Sequence, residues 1–148
     1  GVGVAAVDEH ADAATLAGLI VGPLLMGNGV VVAARGRMQE IAEPLVQALR
    51  GAGVPQASLA LASSMVGPVA LAAGPVHFAA VDLSLEDTRA VNVALSTTDE
   101  ASGQRWIKAL IAMGDGVRPG EPGFLRQFAR PKTVAIQTLR HGAELGLG

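Results

Sequence analysis

The chain contains no cysteine among its 148 residues. That excludes disulfides, thiolate metal sites and any cysteine nucleophile, and it fits a cytoplasmic protein. Aromatic residues make up only 3% of the chain, so the core must be assembled from Ala, Val and Leu. Charge is scarce too: 16% of residues carry one, eleven basic against thirteen acidic, with a formal net charge of -2 and no long run of either sign. That balance disfavours nucleic-acid binding driven by bulk charge. No uninterrupted apolar run reaches the roughly 18 residues of a membrane span; the stretch Leu16 to Met26 is too short and holds Gly18, Gly22 and Pro23. The N-terminus has no basic segment ahead of its first apolar run, so it does not read as a signal peptide.

What is present is an apolar chain with frequent punctuation. Half of the residues are hydrophobic, which disfavours disorder, and the length suits one domain with its own core. Val2 to Val7 reads as a buried strand. The polar run Asp8-Glu9-His10-Ala11-Asp12 breaks it, and Asp12 is placed to cap a helix over Ala13 to Met26. Pro23 should kink or loosen the last turns of that helix. Gly27-Asn28-Gly29 then supplies residues that tolerate positive φ, a structural turn closing the helix. Val30 to Ala34 is apolar at every position, which requires cover on both faces, as in a parallel sheet.

Met38 to Arg50 carries Ile41, Leu45, Val46 and Leu49 at helical spacing. Gly51, Gly53 and Pro55 end it, and Ser58 to Ala62 reads as a third strand. Met65 to Ala73 is a short helix or turn and Val76 to Val81 a fourth strand. The alternation β-α-β-α-β-α-β with short loops predicts a doubly wound α/β fold with a mainly parallel sheet. In the second half, Ser84 is placed to cap a helix over Leu85 to Ala94. Thr97 and Glu100 have capping-box spacing, which predicts a helix from Glu100 to about Met113 with Trp106, Leu110 and Met113 on its buried side. The Gly- and Pro-rich stretch from Gly114 to Gly123 reads as a loop, and Thr133 to Leu139 as a terminal strand. The expected organisation is an α/β domain over 1–123 and a C-terminal strand arm over 124–148.

"GPLLMGNGVVV" (Gly22 to Val32) resembles the cofactor domain of the aldehyde dehydrogenase superfamily, where a helix of similar sequence runs into a strand. "LVQALRGAGVPQASLALA" (Leu45 to Ala62) resembles that family's next helix-turn-strand unit. "TTDEASGQRWIKALIAMGDG" is similar to a later turn and helix, and "FARPKTVAI" (Phe128 to Ile136) to its closing strand. The resemblance implies a Rossmann-like fold of the aldehyde dehydrogenase type. The departures imply that the chemistry is gone. The family's ribose-contacting lysine falls on Ala33, and its glutamate three residues later on Gly36. Its oxyanion-hole asparagine falls near His10, and its nicotinamide-side turn becomes Phe78-Ala79-Ala80-Val81. The segment carrying the general base and the cysteine nucleophile has no counterpart, so the family's thiohemiacetal cannot form. In organisation the chain resembles the C-terminal domain of long bifunctional proline-utilisation flavoenzymes, which is thought to cover a working dehydrogenase site rather than catalyse.

The resemblance implies a non-catalytic module that mediates oligomerisation or caps a dehydrogenase active site. Its partners would be copies of itself or a partner dehydrogenase domain, with no nucleic acid and no membrane. The alternative is an NAD- or NADP-binding domain, or a fragment of an aldehyde dehydrogenase-type oxidoreductase. Without a cofactor loop of Gly-x-Gly-x-x-Gly type, the first reading expects no cofactor and no resident metal. The second rests on Arg35, which follows strand two where arginine can meet a 2′-phosphate, and on Ser64 and Gly67 at the mouth of strand three. A solvated strand end and an ordinary capped turn are the plainer readings of the same residues. His10 is the single catalytic candidate, since a neutral imidazole can donate one hydrogen bond to a carbonyl; it would need a nucleophile from outside the chain. Phe128, Arg130, Lys132, Val134 and Ile136 are the expected interaction residues of the arm, where main-chain pairing would supply affinity and alternate side chains specificity. An arm packed on its own domain is the competing reading.

Overall fold

Strands that are apolar at every position need cover on both faces, and the fold supplies it. The computed structural model describes residues 1–96, 108–113 and 118–128. Its elements in chain order are β1 (Val2–Val7), α1 (Ala13–Leu25), β2 (Gly29–Ala34), α2 (Arg37–Gly51), a 3-10 turn (Gln56–Ser58), β3 (Leu59–Leu61), α3 (Pro68–Ala73), β4 (Phe78–Asp82), α4 (Leu85–Leu95) and β5 (Ala109–Ala112). The five strands form one sheet in the order β3-β2-β1-β4-β5, and every pairing is parallel. This is a Rossmann-like doubly wound sheet whose winding reverses between β1 and β4.

Alternate side chains of each strand serve two separate cores. Ala5, Val7, Val30, Val32, Phe78 and Ala80 pack with α1 and α2 on one face. Val4, Ala6, Ala33, Ala79 and Val81 pack with α3 and α4 on the other. Small strand residues let the helices approach closely, so a chain poor in aromatics still closes both layers.

The caps follow the sequence. Asp12 Oδ1 accepts from Thr15 N at 2.6 Å, and Ser84 Oγ accepts from Asp87 N at 3.1 Å, each satisfying an orphan amide of a first helical turn. The helix α1 continues through Pro23 to Leu25. Gly27 then takes φ 73°. Asn28 is buried and donates from its backbone and side-chain nitrogens to Pro23 O, while its Oδ1 accepts from Gly1 N. The Gly27-Asn28-Gly29 segment is therefore a structural turn.

One expected element is different. Residues 109–112 are a strand, not the end of a helix running from Glu100 to Met113. Ala109, Ile111 and Met113 face the α1/α2 core and Leu110 the opposite one, a period of two. In four consecutive apolar residues that period is indistinguishable from a buried helix by sequence; the open edge of β4 decides it. Trp106, Thr97, Glu100 and the expected strand over 133–139 lie outside the described residues.

Residues 124–128 are helical, and Phe124 and Phe128 join the α1-side core. The three phenylalanines of the chain meet there, with ring centroids 5.7 Å apart for Phe78 and Phe128 and 5.2 Å for Phe124 and Phe128, both edge-on.

Candidate functional site

A doubly wound sheet binds ligands in the crevice beyond the carboxyl ends of its strands, where the winding reverses. Here that place lies between the turn after β1 and the turn after β4. The two turns are stitched together. Asp8 N donates to Asp82 O at 3.2 Å, continuing the ladder past the strand ends. Asp8 Oδ2 accepts from Ser84 N at 2.9 Å, and Asp8 Oδ1 accepts from His10 N, also at 2.9 Å. One carboxylate thus holds its own turn in shape and fastens it to the start of α4. The Ser84 amide at the entry to α4 is thereby already bonded.

The surrounding charge is mostly negative. Glu86 and Asp87 occupy the first turn of α4, and Glu9 packs against Gly36, which takes φ 55° as the N-cap of α2. Burial pushes the Asp82 carboxyl above the usual aspartate value, and the charges of Asp8 and Asp12 push it the same way against the pull of Arg118. Asp12 moves the other way, because the amide of Thr15 hydrogen-bonds its charged form. Carboxylates close enough to perturb one another in this manner make a poor cradle for a diphosphate.

The expected cofactor residues are partly brought together. Arg35, at the end of β2, reaches Asp87: its Nη1 lies 3.2 Å from Asp87 Oδ2. A β-carbon added to Gly67, the N-cap of α3, would stand 3.3 Å from Arg35 Nη2, so Arg35 and Gly67 are neighbours. Ser64 lies exposed in the turn between β3 and α3. That turn is held by Val66 N donating to Ser63 O at 2.9 Å. Sequence patterning offers Arg35 no partner acid nearby; Asp87 comes from 52 residues further along.

His10 sits exposed in the turn after β1. Among the described residues no cluster of His, Cys, Asp or Glu could hold a metal ion, and no helix is long and apolar enough to cross a membrane. Of the expected interaction residues, Phe128 is only 2% exposed and is used by the chain's own core, so its ring is not a contact surface. Arg130, Lys132, Val134 and Ile136 lie outside the described residues. A shallow depression of about 440 Å³ opens at the opposite, amino edge of the sheet, lined by Leu24, Asn28, Val54 and Ser58 among others. It is remote from the switch point and its turn residues have structural work.

No family model matches the sequence, and no curated protein matches it significantly. Among solved structures, the chain is similar to proline utilization A (PutA), in a structure with proline bound in remote sites. The identity is 30% and the TM-score 0.64. The likeness covers 78% of this chain but 12% of the PutA chain, so the chain spans a small part of that protein's length.

Proposed function

We propose that the chain is a non-catalytic aldehyde-dehydrogenase-like module that serves through its surfaces, by oligomerising or by capping a dehydrogenase active site. The observation that carries this reading is Asp8, which ties the turn after β1 to Ser84 N where a nucleotide-binding sheet would leave a crevice. The carboxylates around it oppose a diphosphate. The lack of cysteine removes the nucleophile of the resembling family, and the PutA likeness supports descent from a part of such an enzyme. The contacts would come from residues 130–136, beyond the last core aromatic. The partner would be a second copy or a dehydrogenase domain, in the cytoplasm.

Two measurements test it. Titration with NAD and NADP, followed by calorimetry, is expected to show no saturable binding up to millimolar concentration. Removal of residues 130–148, which spares Phe128, is expected to abolish self-association or capture of the dehydrogenase domain in sedimentation. Unchanged association would overturn the interaction reading. Micromolar dinucleotide binding would favour the alternative instead, an NAD(P)-binding domain using Arg35, Ser64 and Gly67; the proximity of Arg35 to Gly67 is its support.

A further inference from the structure

The described chain ends at the amino edge of the sheet. Residues 118–128 run along α1 toward its C-terminal end: Pro119 fills the space beside Gly18, and Phe124 and Phe128 fill the space beside Gly22. Phe128 also meets Phe78, the first residue of β4. Residues 129–148 follow it in the sequence. The depression of about 440 Å³ opens on the same edge, between the ends of α1 and α2, with Leu24 and Asn28 on one side and Ala52, Val54 and Pro55 on the other. Among the described residues no charged side chain lines it. Leu25, beside Leu24 at the end of α1, is 70% exposed.

Two helix C-termini meeting at one place present the negative ends of their dipoles, roughly half an elementary charge each. The last turn of α1 holds no basic residue. Arg50, in the last turn of α2, has its Nη2 turned to Leu59 O at 2.8 Å. The depression therefore has apolar walls and a negative rim. Residues 130–136 carry the complementary order. In an extended chain Arg130, Lys132, Val134 and Ile136 fall on one side, two cations followed by two branched apolar residues.

We propose that this depression seats residues 130–136 of a second copy of the chain. Arg130 and Lys132 meet the carbonyl ends of the two helices, and Val134 and Ile136 enter between Leu24 and Val54. The proposal rests on the oligomerisation reading and adds to it the partner and the receiving surface. Gly22 and Leu24 point about 200° apart around α1. A chain leaving Phe128 on the Gly22 flank must double back around the helix end to reach its own depression. A facing copy's arm approaches it directly. Because arm and depression share one edge, a two-fold axis that faces the two amino edges lets each copy seat the other's arm, and the contact closes as a dimer.

The test uses the full chain. Ala52 is exposed at the C-cap of α2, so Ala52→Lys adds a cation that suits the helix end and repels the arm without altering it. It is expected to weaken self-association in sedimentation by at least about fivefold, the scale of one exposed charge contact, with unchanged thermal unfolding. Lys132→Glu is expected to weaken association alone and to restore it in the Ala52→Lys background, the compensation shown by residues in contact. Since the chain has no cysteine, Ala135→Cys gives a single site for a nitroxide on the side away from the seat. Mixed with unmodified isotope-labelled chain, it is expected to broaden the amide signals of Gly27 and Gly53 before those of Gly36 and Gly67 at the carboxyl edge. Broadening only when nitroxide and isotope share one chain would overturn the proposal and put the arm on its own domain. Association that survives Ala52→Lys but is lost on removal of residues 130–148 overturns the seat and leaves the oligomerisation reading standing. Association that survives the removal overturns both, and a chain monomeric at every concentration leaves the capping reading alone.

Discussion

Gly3 and Phe78 are partners across the β1–β4 ladder, and the Phe78 ring occupies the space where a β-carbon on Gly3 would stand. The ring is 4% exposed and fixed edge-on to Phe128, so it has nowhere to retreat. Gly3→Ala is therefore expected to destabilise the fold by about 1–3 kcal/mol, the usual range for overpacking a closed core. Urea denaturation would check it through a lower midpoint. The compensating Gly3→Ala/Phe78→Leu pair should recover part of the loss.

The same aromatic cluster makes a prediction for the C-terminal part of the chain. A β-carbon on Gly22 would lie 2.8 Å from Phe124 Cε1 and 3.1 Å from Phe128 Cε2, so α1 is grooved to receive residues 124–128. Phe128→Ala should cost about 3–5 kcal/mol, as for other buried phenylalanines. Leu125, 42% exposed on the same short helix, should tolerate alanine within about 0.5 kcal/mol. Equal losses at the two positions, measured by chemical denaturation, would show that the helix does not dock as described.

These contacts mark where sequence reading stops. The strands β1 and β2, the helices α1, α2 and α4 and the Asp12 and Ser84 caps are legible because each is specified by neighbours a few residues away. Asp12 and Thr15, or Ser84 and Asp87, are one helical turn apart. The pairing of Asp8 with Ser84 joins residues 76 apart, and that of Arg35 with Asp87 joins residues 52 apart. Neither can be inferred before the strand order is known, because only the order β2-β1-β4 puts these ends side by side. The strand β5 eludes the sequence pattern for a related reason. Ala109 to Ala112 fits either period, and the choice is made by the vacant edge of β4, a tertiary fact.

Asp82 gives a pH dependence with a definite sign. Its folded pKa is raised by burial, and then by Asp8 and Asp12, so the folded state binds its proton more tightly than the unfolded chain does. Stability is then lost as pH rises from the unfolded value of 3.8 through the raised folded one. Asp82→Asn removes that loss. It is expected to match the wild type below pH 3.8 and to be more stable above the window. Asp12 has the opposite sign, since its folded pKa is lowered by the Thr15 amide; its contribution is present above 3.8 and disappears as pH falls through the folded value. Thermal melts of Asp82→Asn and Asp12→Asn from pH 3 to 7 should diverge from the wild type in opposite directions near neutrality.

Lys108 ties the start of β5 to the end of α3. Its Nζ donates to Gly74 O at 2.8 Å and to Ala72 O at 3.2 Å; Ala72 lies in the last turn of the six-residue helix, where carbonyls lack an intrahelical donor, and Gly74 O accepts from Val76 N as well. So short a helix has few bonds of its own to hold it, and a charged donor shared by two terminal carbonyls is worth more than a neutral one. Lys108→Met keeps most of the apolar stem and removes the donor. It is expected to cost about 1–2 kcal/mol, within the range for hydrogen bonds to charged groups in a partly exposed site. The loss should be local first: amide exchange of Ala72 and Ala73 should accelerate more than that of Val4 or Val32 in the central strands. Uniform acceleration across the sheet would instead make Lys108 a support of the whole fold rather than of the α3–β5 junction.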